Sequence, residues 1–257
     1  SNLIYLQLQH IIFQHCHFIP HLNMRDYMAK KTEKKPSVDL TQKAYNGIRQ
    51  MLFHNELVAG QKIPFQELAD DMKMSPTPVV QALKFLEFQG IVRREPNKGY
   101  YIEQLRLEEV DELFRFRALL ELSLLKETIS KLDSDGEKAL KEAHSNYLDA
   151  LGDVYMTKKL VTDMEFHLTI ARLSNQALRV RALRNTFDLL HLKYQASLRY
   201  VTRNTSNEND HGCILDAILS RDTELAQQLL ADHIENSRIN ACDNLVQMEQ
   251  EKAGLNF

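Results

Sequence analysis

From residue 41 onward, apolar positions recur three and four apart in one stretch after another, the spacing of helices that bury one face. The first such stretch runs from about Thr41 to Glu56. In the next, Phe65, Leu68, Ala69 and Met72 keep the helical period, Met74-Ser75-Pro76 breaks it, and Val79, Ala82, Leu83, Phe85, Leu86 and Phe88 resume it. This spacing predicts helix, tight turn, helix. Ser75 is placed as an N-cap, and Pro76 and Pro78 fall in the first turn, where backbone N–H groups have no intrahelical partner to lose. Gly90 ends the second helix. Ile91 to Arg94, a Pro-Asn-Lys-Gly turn and Tyr100-Tyr101-Ile102 then read as a short hairpin. Helix-turn-helix followed by a hairpin is a winged helix, whose second helix normally lies in the DNA major groove with the wing beside it.

After Arg106 the pattern is helical throughout. Leu107 to about Leu132 carries Val110, Leu113, Phe114, Ala118, Leu119, Leu122 and Leu125 along one side. Asp133-Ser134-Asp135-Gly136 interrupts it. Further helices are expected over 137–152, 158–173, 176–203, 207–220 and 222–250, with Ser174-Asn175 and Arg221-Asp222 as start signals. Six such helices make an antiparallel bundle with its own core. The expected fold is therefore mostly α, an N-terminal winged helix-turn-helix followed by a C-terminal antiparallel six-helix bundle. The expected organisation is 1–37 as an N-terminal extension or tag-derived segment, 38–104 as the winged helix, 105–251 as the helical domain and 252–257 as a tail.

Composition changes this picture little: 44% hydrophobic and 26% charged residues are ordinary for a globular chain of 257 residues. Charge is more informative because it is uneven. Residues 24–104 hold 13 Lys+Arg against 10 Asp+Glu, and residues from 105 on hold 19 against 25, so the basic excess lies on the DNA-binding half. Lys30 to Lys35 reads as a solvated lead-in. No apolar run approaches the ~18 residues needed to span a membrane. Cys16, Cys213 and Cys242 are odd in number and lack C-x-x-C spacing, which suggests reduced thiols and a cytoplasmic protein. Residues 1–23 contain no Lys, Arg, Asp or Glu and four of the ten histidines. With no basic start and no small-residue cleavage site they do not read as a secretory signal. A tag remnant at Ser1-Asn2, with Met24 or Met28 as the true start, is the favoured reading over an arm that packs on a partner subunit.

Chemistry concentrates in the bundle. Asp163 and His167 are four apart and share a helical face. His211 and His233 sit on the last two helices. Three neutral imidazoles and a carboxylate would suit a divalent transition metal with positions open for water or a ligand. Spacing alone does not bring them together, and hydrogen-bonded core histidines are the commoner outcome.

Residues 44–102 resemble the DNA-binding domain of the GntR superfamily of bacterial transcription regulators. The matching features are Ala44-Tyr45, Ile48, Gly60, Leu68-Ala69, Ser75, Thr77-Pro78-Val79, Ala82-Leu83, Leu86, Gly90 and the wing glycine Gly99. Two positions depart from it. Where the family's Ser-Arg-Thr-Pro-Val-Arg-Glu-Ala-Leu run has DNA-touching arginines, this chain has Pro76 and Val80, and the glutamate is Gln81. The resemblance leaves Ser75, Thr77, Gln81 and Lys84 on the helix and Arg93, Arg94 and Lys98 on the wing as DNA-binding candidates, with altered sequence preference or weaker affinity expected.

Residues 107–240 look like the ligand-binding FCD domain of the superfamily's FadR-type branch. The matching pieces are Arg117 with Glu121, Asp163-x-x-Phe166-His167, Asn175, His211-x-x-Ile214-x-x-Ala217-Ile218, and Ala226 with His233-Ile234. That resemblance implies Asp163, His167, His211 and His233 as ligands of a divalent metal, often zinc or nickel, and a small organic-acid or sugar-acid effector. It also implies Arg117 as a second, bidentate anchor for the effector's carboxylate. An intrahelical pair with Glu121 is the equal alternative for Arg117. The function expected is a homodimeric, ligand-responsive regulator binding double-stranded operator DNA, with no catalytic residues. A metal-dependent enzyme with Glu165 as base, and a divergent sensing module that has lost operator binding, are the alternatives.

Overall fold

The computed structural model describes residues 39–54, 56–151, 156–197 and 209–254. The stretch 1–23, the basic run 30–35 and the tail 255–257 fall outside the described residues. The first unit is α1 (Leu40–Phe53), β1 (Lys62–Ile63), α2 (Phe65–Asp71), α3 (Pro76–Phe88), β2 (Val92–Glu95) and β3 (Gly99–Ile102). The bundle that follows is α4 (Leu107–Lys131), α5 (Ser134–Leu151), α6 (Met156–Leu173), α7 (Ala177–Ser197), α8 (Asp210–Leu219) and α9 (Thr223–Gly254). The expected fold class holds.

Ser75 caps α3 in an extended conformation with Pro76 at the first helical position, as the sequence suggests, although its hydroxyl makes no capping hydrogen bond. At the other end Gly90 takes φ 74°, and the Ile91 N–H reaches back to the Leu86 carbonyl at 2.9 Å. A left-handed residue is needed there, which glycine supplies at no steric cost. The wing is antiparallel, with Val92 opposite Ile102 and Glu95 opposite Gly99. One strand was not legible: β1 adds to the hairpin, Ile63 pairing with Tyr100, to give sheet order β1-β3-β2. Two residues are too few to show an alternation. Ala44, Ile48, Leu52, Leu68, Val79, Leu83, Leu86, Ile91 and Ile102 close this unit's core.

Two periodic assignments need correction. Phe85 and Phe88 are 60% and 92% exposed, because the α3 face that packs on α1 is set by Val79, Ala82, Leu83 and Leu86. On α4, Leu119 is exposed while Arg117 and Glu121 are buried in its place. The Asp133–Gly136 break is also shorter than expected, the next helix starting three residues early. Asp133 accepts the Gly136 N–H at 2.8 Å, so α5 starts at Ser134 with Gly136 inside its first turn. Asn175 and Arg221 hold φ of 57° and 59°, left-handed closures of the preceding helices rather than starts of the next ones. Asp222 supplies the start for α9, accepting the Leu225 N–H at 3.0 Å.

The bundle core runs through Val110, Leu125, Leu140, Phe166, Ile170, Ile214, Ile218, Leu230 and Ile234. Helix α4 packs along α9, α5 along α6, and α7 against both α4 and α6. Helix α7 also packs on α1, and its Leu192 belongs to the winged-helix core. None of the described helices is long and apolar enough to cross a membrane.

Candidate metal centre and nucleic-acid interface

Helix α6 presents Asp163 and His167 one turn apart, α8 contributes His211 near its start, and α9 contributes His233. One ligand atom from each lies within 4.8 Å of the other three. His167 Nε2 and His211 Nε2 are 3.2 Å apart, and His211 Nε2 is 3.4 Å from Asp163 Oδ1. His167 Nε2 is 4.0 Å from the same oxygen. Two donors at about 2.1 Å from one ion, at tetrahedral or octahedral angles, sit ~3.0–3.4 Å apart. Asp163, His167 and His211 thus stand near the separations a single cation would impose, with His233 within 4.8 Å of them.

What surrounds the donors fixes which nitrogen faces inward. Glu121 Oε2 takes His167 Nδ1 at 2.7 Å, so that nitrogen carries the proton and the Nε2 lone pair points at the cluster. Asp210 Oδ2 stands 3.5 Å from His233 Nδ1, and the buried His233 Nε2 has no hydrogen-bond partner. A carboxylate behind an imidazole fixes its tautomer and raises its basicity as a ligand. The Tyr147 ring meets the His211 ring edge-on at 4.2 Å and limits its rotation. The Nε2 atoms of His167 and His211, together with the orphaned Nε2 of His233, are a donor set that fits a metal ion.

Electrostatics agree. Burial pushes His167 and His233 well below the ordinary imidazole value, and His211 below it too, so all three are neutral, the state that ligates. Burial opposes ionisation of Asp163, but attraction to His167 and His211 in their protonated forms in acid, and to the Arg117 guanidinium, outweighs it and holds its carboxyl at about 2. The cluster is anionic before any cation arrives.

Arg117 makes the intrahelical pair with Glu121 that was one of its two expected readings. It is buried, its Nε donates to Glu121 Oε1 at 2.6 Å, and its Nη2 has no hydrogen-bond partner. Its guanidinium lies 4.6 Å over the Phe187 ring, whose own centroid is 5.9 Å from the His167 ring. A buried guanidinium with an unsatisfied donor next to a metal-type cluster is suited to an anion. Glu165 turns away to pair with Arg172 at 2.9 Å, as its two-residue offset from Asp163 dictates. It is not placed to act as a base.

Sequence reading passed over several of these groups. Glu121 was seen only as an ion-pair partner of Arg117, whereas it grips His167 as well. Asp210 could have been noticed as the residue before His211. Phe187 and His191 on α7 carry no one-dimensional signal. His191 is 9% exposed, packs 5.8 Å from the Phe187 ring, and has a buried Nδ1 without a hydrogen-bond partner. Burial lowers it to about 4.

The winged helix is arranged differently. Ser75, Thr77, Gln81 and Lys84 are exposed along α3, with Gln81 Oε1 accepting the Thr41 hydroxyl at 2.8 Å. On the wing, Arg93 pairs with Glu95, stands 3.7 Å from Glu103 and stacks 4.9 Å from the Tyr101 ring. Lys98 Nζ is 3.3 Å from Glu95, and Arg94 leans over Tyr100 at 6.0 Å. Two of the three wing cations therefore share one carboxylate that DNA phosphates would have to displace.

A winged helix joined to a helical bundle with a buried donor cluster defines a DNA-binding transcription regulator. Residues 40–102 match the model of the bacterial regulatory proteins of the gntR family, and residues 112–236 match the FCD domain. The chain belongs to the gntR family, with an FCD domain as its helical half. It is 23% identical over 80% of its length to 91% of the HTH-type transcriptional regulator YdhC of Bacillus subtilis (strain 168). It is 27% identical over 72% of its length to 94% of the HTH-type transcriptional regulator LutR of the same organism. In fold it is similar to E. coli McbR/YncC, with TM-score 0.69 and 20% identity, covering 84% of this chain and all of that one. Both relatives are transcriptional regulators.

Proposed function

We propose that this regulator senses a small carboxylate through a divalent metal held by Asp163, His167, His211 and His233. The observation that carries the reading is the gathering of one ligand atom from each of these four side chains within 4.8 Å, with carboxylates behind His167 and His233. Zinc or nickel suits three imidazoles and one carboxylate. Bound there, the cation supplies positive charge and open coordination positions for an anion. The chain's own part is to hold the donors, keep the imidazoles neutral and present Arg117 Nη2 to a carboxylate. Organic acids and sugar acids are the effector class this arrangement favours.

The protein acts as a homodimer in the cytoplasm, its two winged helices set for a two-fold operator. Thr77, Gln81 and Lys84 on α3 and Arg94 on the wing make the first contacts, with Ser75 at the helix N-terminus and Arg93 and Lys98 joining once Glu95 is displaced. Occupancy of the bundle changes operator affinity by a coupling free energy of about 1–3 kcal/mol. Two measurements test the two halves. Purified chain carries close to one metal per protomer, and His167→Ala and His211→Ala lose it; equal trace metal in all three would end the sensing reading. Binding to duplex DNA from upstream of its own gene weakens linearly in log salt, and a flat plot would remove the operator reading.

A further inference from the structure

Helix α7 touches both halves of the molecule within six residues. Phe187 faces the donor cluster, stacked under Arg117 and against His167. Leu190 lies in the bundle core, while Leu192 lies in the winged-helix core. Between them Asp188 reaches out of the bundle and accepts both terminal nitrogens of Arg49 on α1, at 2.8 and 2.5 Å.

The contact does not stop at α1. Arg49 Nη1 also donates to the Tyr45 hydroxyl at 2.9 Å, and Tyr45 donates to Gln89 Oε1 at 2.9 Å. Gln89 is the C-cap of α3, the second helix of the helix-turn-helix. An unbroken hydrogen-bonded chain therefore runs from α7 through α1 to the end of the DNA-reading helix. The linker Gln104-Leu105 joins the wing to α4, and the contacts of α7 are a second connection between the two halves.

Physical chemistry distinguishes the polar link from the apolar packing around it. Apolar contacts are non-directional and tolerate sliding, whereas a two-pronged guanidinium–carboxylate pair holds only in one relative orientation. The Arg49 and Asp188 side chains are 26% and 14% exposed, so water screens the pair only partly. Burial works against the Arg49 charge, and the Asp188 carboxylate more than offsets it, raising the guanidinium above its ordinary value.

We infer that Arg49 and Asp188 are positioning residues that lock the DNA-reading helix to the helix lining the metal cluster. Occupancy of the cluster then reaches α3 through this pair. The inference rests on the metal reading proposed above, and the test separates the two.

The experiment is hydrogen–deuterium exchange on the full chain, with zinc or with EDTA, for wild type, Arg49→Ala, Asp188→Asn and the charge-swapped Arg49→Asp/Asp188→Arg double variant. Metal content is measured on each. Zinc slows exchange across 76–89 in wild type by about fivefold, the low end of ordinary site-to-site coupling. In both single variants that response falls below about twofold, under the ordinary range of site-to-site coupling. Zinc stoichiometry and protection of 211–234 stay as in wild type, and the swapped pair recovers part of the response. A wild type that binds zinc but shows no change in 76–89 overturns the inference alone. So does an Arg49→Ala response equal to wild type. A wild type that takes up no zinc removes the sensing reading and this inference with it.

Discussion

The two halves of this regulator keep their family likeness in opposite ways. In the winged helix the scaffold positions are kept and the reading positions have changed: Pro76 and Val80 stand where arginines are usual, and Phe85 and Phe88 lie exposed on α3. In the bundle the four clustered side chains of the likeness are all present, and two of them are tied to the fold by a carboxylate, His167 by Glu121 and His233 by Asp210. An exposed side chain on α3 can change without cost to folding. A buried imidazole bonded to a buried carboxylate cannot, because removing either leaves an unsatisfied polar group in the core.

The sharpest way to test that contrast is with two phenylalanines. Phe166, fully buried between the donors and the core, loses about 3–5 kcal/mol of stability on substitution by Ala, whereas Phe88→Ala changes it by less than about 0.5. Chemical denaturation of both variants measures this, and similar losses would erase the distinction.

Next in size is an acid response confined to the bundle. His191 is held at about 4 in the fold against an ordinary 6.5, so the unfolded chain takes up the proton first. Stability is therefore complete above pH ~6.5 and falls as pH drops towards 4, by about 3 kcal/mol for this group. His191→Leu flattens that part of the pH–stability curve of the metal-free protein; an unchanged slope would contradict the assigned burial.

Smaller again is the effect of the carboxylate behind His167. Glu121→Gln keeps the shape, weakens the hold on the imidazole and lowers zinc affinity by about 10–100-fold, read by competition with a chromogenic chelator. On the other half, Val80→Arg restores one cation to the reading helix. It steepens the slope of log K against log salt by about 1 while leaving the melting temperature in place. A melting shift of several degrees would show that α3's outer face is tied to the fold after all.

The same contrast explains what was legible. Buried periodic positions such as Leu83, Leu86, Phe166 and Ile218 announce their helices, and glycines at left-handed turns announce the ends. Phe85, Phe88 and Leu119 mislead because apolar type and helical spacing do not say which face another helix will cover. The four clustered side chains are named by motif. Their partners Glu121 and Asp210, and the α7 residues Phe187, Asp188 and His191, were not, because those roles arise only when helices far apart in sequence meet. The two-residue β1 was hidden for want of length.

The central claim is that one cation sits among three imidazoles and a carboxylate in the bundle. X-ray absorption at the zinc or nickel edge of the loaded protein reads that shell directly. The account predicts about three imidazole nitrogens and carboxylate or water oxygen near 2.0–2.2 Å, with the imidazole count falling by one in His233→Ala. An all-oxygen shell, or a wild-type spectrum that His233→Ala leaves unchanged, would contradict it.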